Sequence, residues 1–90
     1  MNLNFKMNPE TNCLIIELNG RLDSTNVAAA EAAIFDLHNQ HEDSQIIFDA
    51  QNLEYISSAG LRVLLKVRKM QDELVIKNVS VEVYEIFEIT

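Results

Sequence analysis

The run from Gln45 to Asp49, QIIFD, is the feature that most constrains the fold of this chain. It is short, almost wholly apolar and rich in β-branched residues, which is typical of a central strand covered on both faces. Helical patterns precede and follow it. Because a strand, helix, strand unit makes a right-handed parallel crossover, the run predicts an α/β domain.

Two amphipathic helices are expected on either side of this strand. The first covers residues 27 to about 39 in an alanine-rich segment, and the second runs from Ser57 or Ser58 to about Met70. The residues that the helices are expected to bury are Val27, Ala30, Ile34 and Leu37 in the first, and Leu61, Leu64, Leu65 and Val67 in the second, with Val63 and Met70 at the margins.

The remaining elements complete a small mixed sheet. Apolar and polar residues alternate over residues 3–7, and turn-forming residues 8–12 lead into the apolar run 13–18, which predicts an N-terminal β-hairpin. Leu74 to Ile76 predicts a short last strand. We therefore expect four strands, formed by the hairpin and the parallel crossovers.

The tail, from Val79 onward, fits two structures. Valines alternate over residues 79–83 as in a strand, and propensity favours that structure. Ser80 can cap a helix, Glu82 suits a first helical turn, and the apolar phase shifts after Val83. We predict a helix here, the third of the domain.

Composition bounds the functions that this chain can have. Ninety residues with 48% hydrophobic content predict a single domain, 1–90, with little room for a deep active-site cavity, which argues against an enzyme. The net charge of −7 disfavours nucleic acid and direct contact with anionic membranes, and favours a basic or mixed-charge protein partner. The single cysteine, Cys13, cannot form an internal disulfide and is expected in the core. With no signal peptide or spanning run, we expect a cytoplasmic protein.

The segment from Ser57 to Leu61, SSAGL, is the candidate functional site. A hydroxyl in the first turn of a helix lies beside backbone N–H groups without helical partners and beside the positive end of the helix dipole, so the position readily holds a phosphate. The alternative is that both serines are only helix caps, worth about 1 kcal/mol. One serine suffices for capping, so the other can be presented. Gly60 is expected to permit a close backbone approach.

A second candidate segment is the loop from Gly20 to Asn26. Gly20 is expected to have a positive φ angle, and Ser24, Thr25 and Asn26 can each cap the first helix. Asp23 is then either a first-turn acid or a partner contact. If the second and third strands are parallel neighbours, the loops that follow them open at the same end, and Asp23 and Ser58 share a surface.

Other polar residues have plainer interpretations. Asp49 is expected to be a turn carboxylate that accepts the N–H of Asn52 or Leu53. His38 and His41 are expected to be exposed, and no metal site is expected because no third ligand lies near them. A hydrolase triad of Ser58, His38 and Asp23 is disfavoured, since the histidine lies at the far end of the first helix. A basic stripe on the second helix is either a solvated face or a steering surface for an acidic partner, and comprises Arg62, Lys66 and Lys69, with Arg68 beside it.

The residue pattern resembles the STAS domain, specifically the bacterial anti-sigma-factor antagonist family. The resemblance covers nearly the whole chain and rests on the hairpin, on Gly20-Arg21-Leu22-Asp23, on Asp49, on Leu53 to Leu61 and on Asn78-Val79-Ser80. It implies a STAS-like α/β fold, with the small four-stranded mixed sheet packed with about three helices. Ser57 stands where some antagonists have an acid. Many relatives also continue beyond Thr90 with a glycine turn and a short final element, so we expect the usual C-terminal extension to be lacking.

The resemblance also implies a function. The unmodified protein would bind a serine-kinase anti-sigma factor and so release a sigma factor, phosphorylation on Ser58 would end that binding, and a serine phosphatase would reset it. Ser57 is the second choice of acceptor. No cofactor is implied, and we expect a monomer or weak dimer. The alternative is a STAS subunit, not phosphorylated, of a signalling scaffold or of a lipid or anion transport complex. The expected partner-binding residues are Gly20, Asp23, Ser24, Thr25, Ser57, Ala59, Gly60 and Arg62.

Overall fold

The computed structural model describes residues 2–71 and 73–89. Within them the chain forms five strands and three helices. The elements are β1 (Asn2–Asn8), β2 (Cys13–Leu22), α1 (Val27–Gln40), β3 (Gln45–Asp49), β4 (Leu53–Ile56), α2 (Ser58–Gln71), β5 (Val75–Lys77) and α3 (Val81–Ile89). The predicted hairpin, both helices beside β3 and the helical tail are confirmed. Thr90, beyond which many relatives were expected to continue, lies outside the described residues.

The strand β2 organises the sheet. It pairs antiparallel with β1, and the strand order is β1-β2-β3-β5 with β4 also paired to β2. The first half of β2 lies parallel to β3, and its last three residues lie parallel to β4, with a register shift between Gly20 and Arg21. Gly20 has a φ angle of 95°, as expected, and its N–H donates to the carbonyl of Asn52 at 2.9 Å. The glycine therefore lies where β2 changes partners.

The sheet thus has five strands where four were expected. The missed strand, β4, spans only Leu53–Ile56 and directly precedes a helix, so its four residues read as the approach to that helix. The mixed α/β fold itself is confirmed.

The core lies between one face of the sheet and the helices. Residues of β2 that point toward the helices, Leu14, Ile16 and Leu18, are fully buried, as are Ile46 and Phe48 of β3. The intervening residues of β3 are only half-buried, so the expectation that both faces of this strand are covered is wrong. Each such buried side chain contributes roughly 1.5–3 kcal/mol of transfer free energy.

Helix α2 buries a slightly different stripe from the one expected. Gly60, Val63, Leu64 and Val67 are buried, whereas Leu65 is 40% exposed. These buried positions follow the i, i+3, i+4, i+7 spacing, and the small Gly60 sets where the helix meets the sheet. Val63 is therefore a core residue and Leu65 is not. In α1 the expected Ala30, Ile34 and Leu37 are buried, and Val27 packs against the core.

Side-chain hydrogen bonds of Gln71 and Ser80 precede β5 and α3, the last two elements. The side-chain amide of Gln71 donates to the carbonyl of Ile46 and accepts the N–H of Ile46, both at 2.8 Å. These two hydrogen bonds occupy the edge of β3 before β5 begins. The last strand is accordingly one residue later than expected. Ser80 caps α3 by accepting the N–H of Val83 at 3.2 Å, and Val83 is fully buried.

Candidate partner-binding site

Two loops leave the sheet side by side at the carboxyl ends of β2 and β4. Leu22 and Ile56 are register partners, and the N–H of Ser57 donates to the Leu22 carbonyl at 2.9 Å. Neighbouring strands lie roughly 4.8 Å apart, so the loop that begins at Asp23 and the start of α2 share one edge. The expected common surface is present, but β4, and not β3, is the strand that brings α2 to it.

Ser57 is the cap of α2. Its Oγ accepts the N–H of Gly60 at 3.2 Å, and its carbonyl accepts the N–H of Leu61 at 2.9 Å. The side chain is half-buried. Ser57 is thus committed to the helix start, a role worth about 1 kcal/mol.

Ser58 is the first residue of α2 and is exposed. Its hydroxyl makes no hydrogen bond to any other residue that the structure describes. The two serines therefore have separate roles: one closes the helix start, and the other points a free hydroxyl into solvent.

Gly60 is buried beneath this surface. A Cβ added to it would lie 2.8 Å from Leu22 Cγ and 2.9 Å from Ile56 Cγ1, both side chains being fully buried. The expected close approach is confirmed. Gly60 is buried and positions the start of α2, and its contact with a partner stays a prediction.

Asp23 leads a tightly bonded loop before α1. Its Oδ1 accepts the N–H of Thr25 at 3.0 Å and the Thr25 hydroxyl at 2.5 Å. These bonds, with the hydroxyl contribution largest and the charge of Arg21 adding to them, hold the pKa of Asp23 below its ordinary value. The carboxylate is ionised at neutral pH and held in one orientation, while Ser24 and Thr25 are exposed beside it.

Asn26 fixes this loop and does not cap α1. It occupies the cap position, but no side-chain capping bond is present. Its Oδ1 accepts the N–H of Asp23 at 3.0 Å, and its Nδ2 donates to the carbonyl of Arg21 at 2.8 Å. The expectation that a side chain from residues 24–26 caps α1 is therefore wrong, because the amide is used within the loop.

A shallow cleft of about 160 Å³ separates the first turns of α1 and α2. Its lining residues are Val27, Glu31, Ala59, Arg62, Val63 and Lys66. Lys66 donates to Glu31 at 2.6 Å across the cleft, while Arg62 is exposed. Glu31 was not among the expected site residues, and the spacing of charges within either helix does not reveal a contact between two helices.

Comparison with known proteins places this arrangement in a family. A family profile described as STAS domain matches residues 4–90. The chain belongs to the STAS domain family. BtrV of Bordetella bronchiseptica, which is named as an anti-sigma factor antagonist, is 40% identical over 81 residues, which cover 86% of this chain and 69% of BtrV. The sequence relationship therefore places this STAS domain with the anti-sigma-factor antagonists, as the residue pattern predicted.

The fold is similar to a solved structure of the anti-sigma factor antagonist SpoIIAA in its unphosphorylated form. The TM-score is 0.73 at 20% identity, and the match covers 99% of this chain and 84% of SpoIIAA. This likeness confirms the STAS fold. Both relatives carry the name of an antagonist, a kind of protein that acts by binding.

Asp49 lies outside the site of this STAS domain. It ends β3 opposite Glu17 of β2, which is six residues, or about 20 Å, before Asp23 along the strand. Its Oδ1 accepts the N–H of Gln51 and the amide of Asn78, both at 3.0 Å. The Asn78 bond is the main cause that lowers the pKa of Asp49. Asp49 is the expected turn carboxylate, but Gln51 is its backbone donor in place of Asn52 or Leu53.

The histidines and the cysteine also lie away from the site. His38 is in the last turn of α1, about 18 Å along the helix from its start, so it does not approach Asp23. It is half-buried, as is His41, whose ring lies 6.3 Å from that of Phe5, so the expected exposure is wrong for both. Cys13 is half-buried rather than a core residue, because it lies on the face of β2 opposite the buried Leu14, Ile16 and Leu18.

None of the helices formed by residues 2–71 and 73–89 has the length and apolarity to cross a bilayer. In the same part of the chain, no group of three or more His, Cys, Asp or Glu residues is placed to hold a metal ion.

Proposed function

We propose that this antagonist binds an anti-sigma factor that is itself a serine kinase, and that phosphorylation of Ser58 ends the binding. The observation that carries the proposal is the separation of roles at the start of α2. Ser57 is half-buried and bonded to the helix, whereas Ser58 is exposed and unbonded. A kinase needs a hydroxyl that it can reach without opening the fold, and Ser58 is such a group.

The contact surface for the partner consists of two adjoining parts. One is the loop with the ionised, immobilised Asp23 and the exposed Ser24 and Thr25. The other is the start of α2, with the exposed Ser58 and with Ala59 and Arg62, which line the cleft. A surface that offers both an anion and a cation fits a partner of mixed charge. Within it, Ser58 is the residue whose charge a kinase can change.

The start of α2 can accommodate a phosphate without unfolding. The N–H groups of Gly60 and Leu61 are already bonded to Ser57, so they are not available to phosphate oxygens. The remaining first-turn donors are the N–H groups of Ser58 and Ala59, at the positive end of the helix dipole. Arg62 follows Ser58 by four residues and is exposed, so its guanidinium lies on the same helix face.

Phosphorylation then acts on binding more than on shape. It adds roughly −1.5 to −2 charges and three acceptor oxygens at the surface that the partner must cover. Pairing with Arg62 neutralises a cation near Ser58, and the phosphate stands at the same edge as the Asp23 carboxylate. The modified surface is more anionic and costs more to desolvate. A serine phosphatase reverses the change by removing the group.

The test is incubation with the serine-kinase anti-sigma factor of the same organism and ATP, followed by intact mass measurement. Wild type and the Ser57→Ala variant are expected to gain one phosphate each, and Ser58→Ala none. Far-UV circular dichroism of each variant checks that the fold is kept. The proposal fails if wild type gains no phosphate, or if Ser58→Ala gains one at the wild-type rate.

The contribution of Asp23 is tested separately by titration calorimetry with the same partner. Asp23→Asn is expected to weaken binding about tenfold or more, because a charge-assisted contact is lost. Asp36→Asn is the matched control, since Asp36 is an exposed acid on α1 outside the cleft. Equal losses in both variants would show that only net charge matters and would remove Asp23 from the contact surface.

A further inference from the structure

The strand β1 is a free edge of the sheet. It ends the strand order β1-β2-β3-β5, and its seven residues pair with β2 without any register shift. A regular edge strand presents unpaired N–H and C=O groups to a further strand. Natural edges are commonly interrupted by proline, bulges or free lysines, and β1 has no proline or bulge.

Within Asn2–Asn8 the charged residue is Lys6, and it has an oppositely charged partner on the neighbouring strand. Lys6 lies 3.5 Å from Glu17 of β2. On a chain with a net charge of −7, β1 is therefore an electrically neutral strip. Like-charge repulsion is weakest here if two copies of the chain approach each other.

The sequence of β1, NLNFKMN, has the same order of polar and apolar residues on either side of Phe5. If a second β1 pairs antiparallel with Phe5 facing its own copy, Leu3 faces Met7, Asn4 faces Lys6 and Asn2 faces Asn8. All seven residues are paired, and no two like charges are opposed. Shifting the pairing by two residues in one direction would instead place Lys6 opposite itself, which is destabilising.

Phe5 is the apolar side chain at the centre of this pattern. It faces the core side of the sheet, opposite the fully buried Ile16, yet it is 52% exposed because no strand lies beyond it. Beside Leu3, the residues of α1 that line a cleft of about 290 Å³ are alanines, Ala29, Ala30 and Ala33, while the His41 ring lies 6.3 Å from Phe5. The space beside Leu3 is therefore open to a second chain.

From these observations we infer that β1 pairs with β1 of a second copy, antiparallel about a two-fold axis at Phe5, to form a continuous sheet through both protomers. The two Phe5 rings make a cross-strand pair on the axis. Because the two β2 strands then run in opposite directions, the two candidate sites lie at opposite ends of the extended sheet. Both remain open, so this association does not depend on Ser58 or on the partner.

The interface is small, so the dimer is weak. One strand edge and one aromatic pair bury less than the roughly 1,200 Å² of a standard interface, the size class of weak and transient contacts. We therefore expect a Kd in the range from about 10 µM to 1 mM. Sedimentation velocity from about 10 µM to 1 mM at physiological ionic strength covers the range in which such an interface associates. Wild type is expected to shift from monomer to dimer across it.

Phe5→Glu and Tyr84→Glu form a matched pair for this measurement. Tyr84 is an exposed aromatic of α3 at 54%, close to the 52% of Phe5, so both variants lose an exposed ring and gain one charge. Phe5→Glu opposes two carboxylates on the axis and is expected to raise Kd at least about tenfold, whereas Tyr84→Glu leaves it unchanged. A monomeric wild type at all concentrations, an unaffected Phe5→Glu, or an equal loss in both variants would overturn the inference.

Disulfide trapping tests the register. In a Cys13→Ser background, Phe5→Cys is expected to form a covalent dimer on mild oxidation, since Cα atoms of directly opposed residues lie about 4.5–5.5 Å apart, within disulfide range. Met7→Cys alone is expected to give none, because Leu3 of the other copy faces it. Mixing it with Leu3→Cys should restore the cross-link. Efficient trapping through Met7→Cys alone would contradict the register.

Discussion

The two helix starts at the candidate site use the same types of residue for different purposes. Before α1, the Asn26 amide bonds to Arg21 and Asp23 and leaves the helix without a side-chain cap. Before α2, Ser57 makes an ordinary cap and Ser58 is left free. The first arrangement immobilises a carboxylate, and the second presents a hydroxyl. A capping residue type therefore shows that polar groups meet a helix end, but not which group they satisfy.

The largest expected effect concerns the packing beneath α2. Gly60→Ala should lower the free energy of unfolding by about 1–3 kcal/mol, because its Cβ meets buried Leu22 and Ile56 atoms, and this outweighs the roughly 1 kcal/mol gain in helix propensity. Urea denaturation measures the change. In a Leu22→Ala background, which removes one of the two obstacles, the same substitution should cost less. An equal cost in both backgrounds would show that packing against Leu22 is not the cause.

The next effect concerns the loop before α1. Asn26→Ala should cost about 1–2 kcal/mol, since two hydrogen bonds that fix the loop are lost. Asn39→Ala is the control, because Asn39 is an exposed asparagine near the other end of α1. Thermal unfolding of both variants measures the difference. If they unfold alike, the loop is not held by Asn26, and the contrast between the two helix starts disappears.

The two serines should differ in stability by less than that. Ser57→Ala should cost about 1 kcal/mol through loss of the cap, and Ser58→Ala less than about 0.5 kcal/mol, since its hydroxyl is unbonded and exposed. Chemical denaturation of the matched pair measures both. A larger cost at Ser58 than at Ser57 would mean that the roles of the two hydroxyls are exchanged.

The smallest effect is on titration. The Thr25 bonds lower the pKa of Asp23, so its contribution to stability is complete above the ordinary aspartate pKa and is lost as the pH falls through the lowered value. Thr25→Val removes the hydroxyl donor, so the pKa of Asp23 should rise toward its ordinary value. Carboxyl-carbon NMR titration measures the shift, with Asp49 as an internal reference that should not move. An unchanged Asp23 would show that the hydroxyl is not its main stabilising partner.

Much of the fold could be predicted because its elements have strong local signals. The alternation in β1, the apolar run of β3 and the spacing in both long helices each specify an element, and in α1 the spacing also specifies the residues that it buries. β4 could not be predicted in this way, since four residues before a helix carry little periodicity. Without β4, Asp49 and Ser58 would belong to one loop between β3 and α2. In the structure β4 separates them, and Asp49 lies outside the site.

The candidate site was predictable in its composition but not in its bonding. The sequence pointed to Asp23, Ser57 and Ser58, and the structure brings their segments together at one edge. Which serine caps, which amide holds the loop and which N–H groups stay free depend on strand register and on contacts between elements. The pair formed by Lys66 and Glu31 is of the same kind, because it joins residues 35 positions apart.

The measurement that tests the account most directly is the affinity of the serine-kinase anti-sigma factor for the protein before and after phosphorylation, by titration calorimetry. Phosphorylation of Ser58 is expected to weaken binding by at least about 100-fold, while circular dichroism shows the same fold in both forms. Equal affinity of the two forms would contradict the account, because an added charge on the presented hydroxyl would then leave the contact surface unaffected.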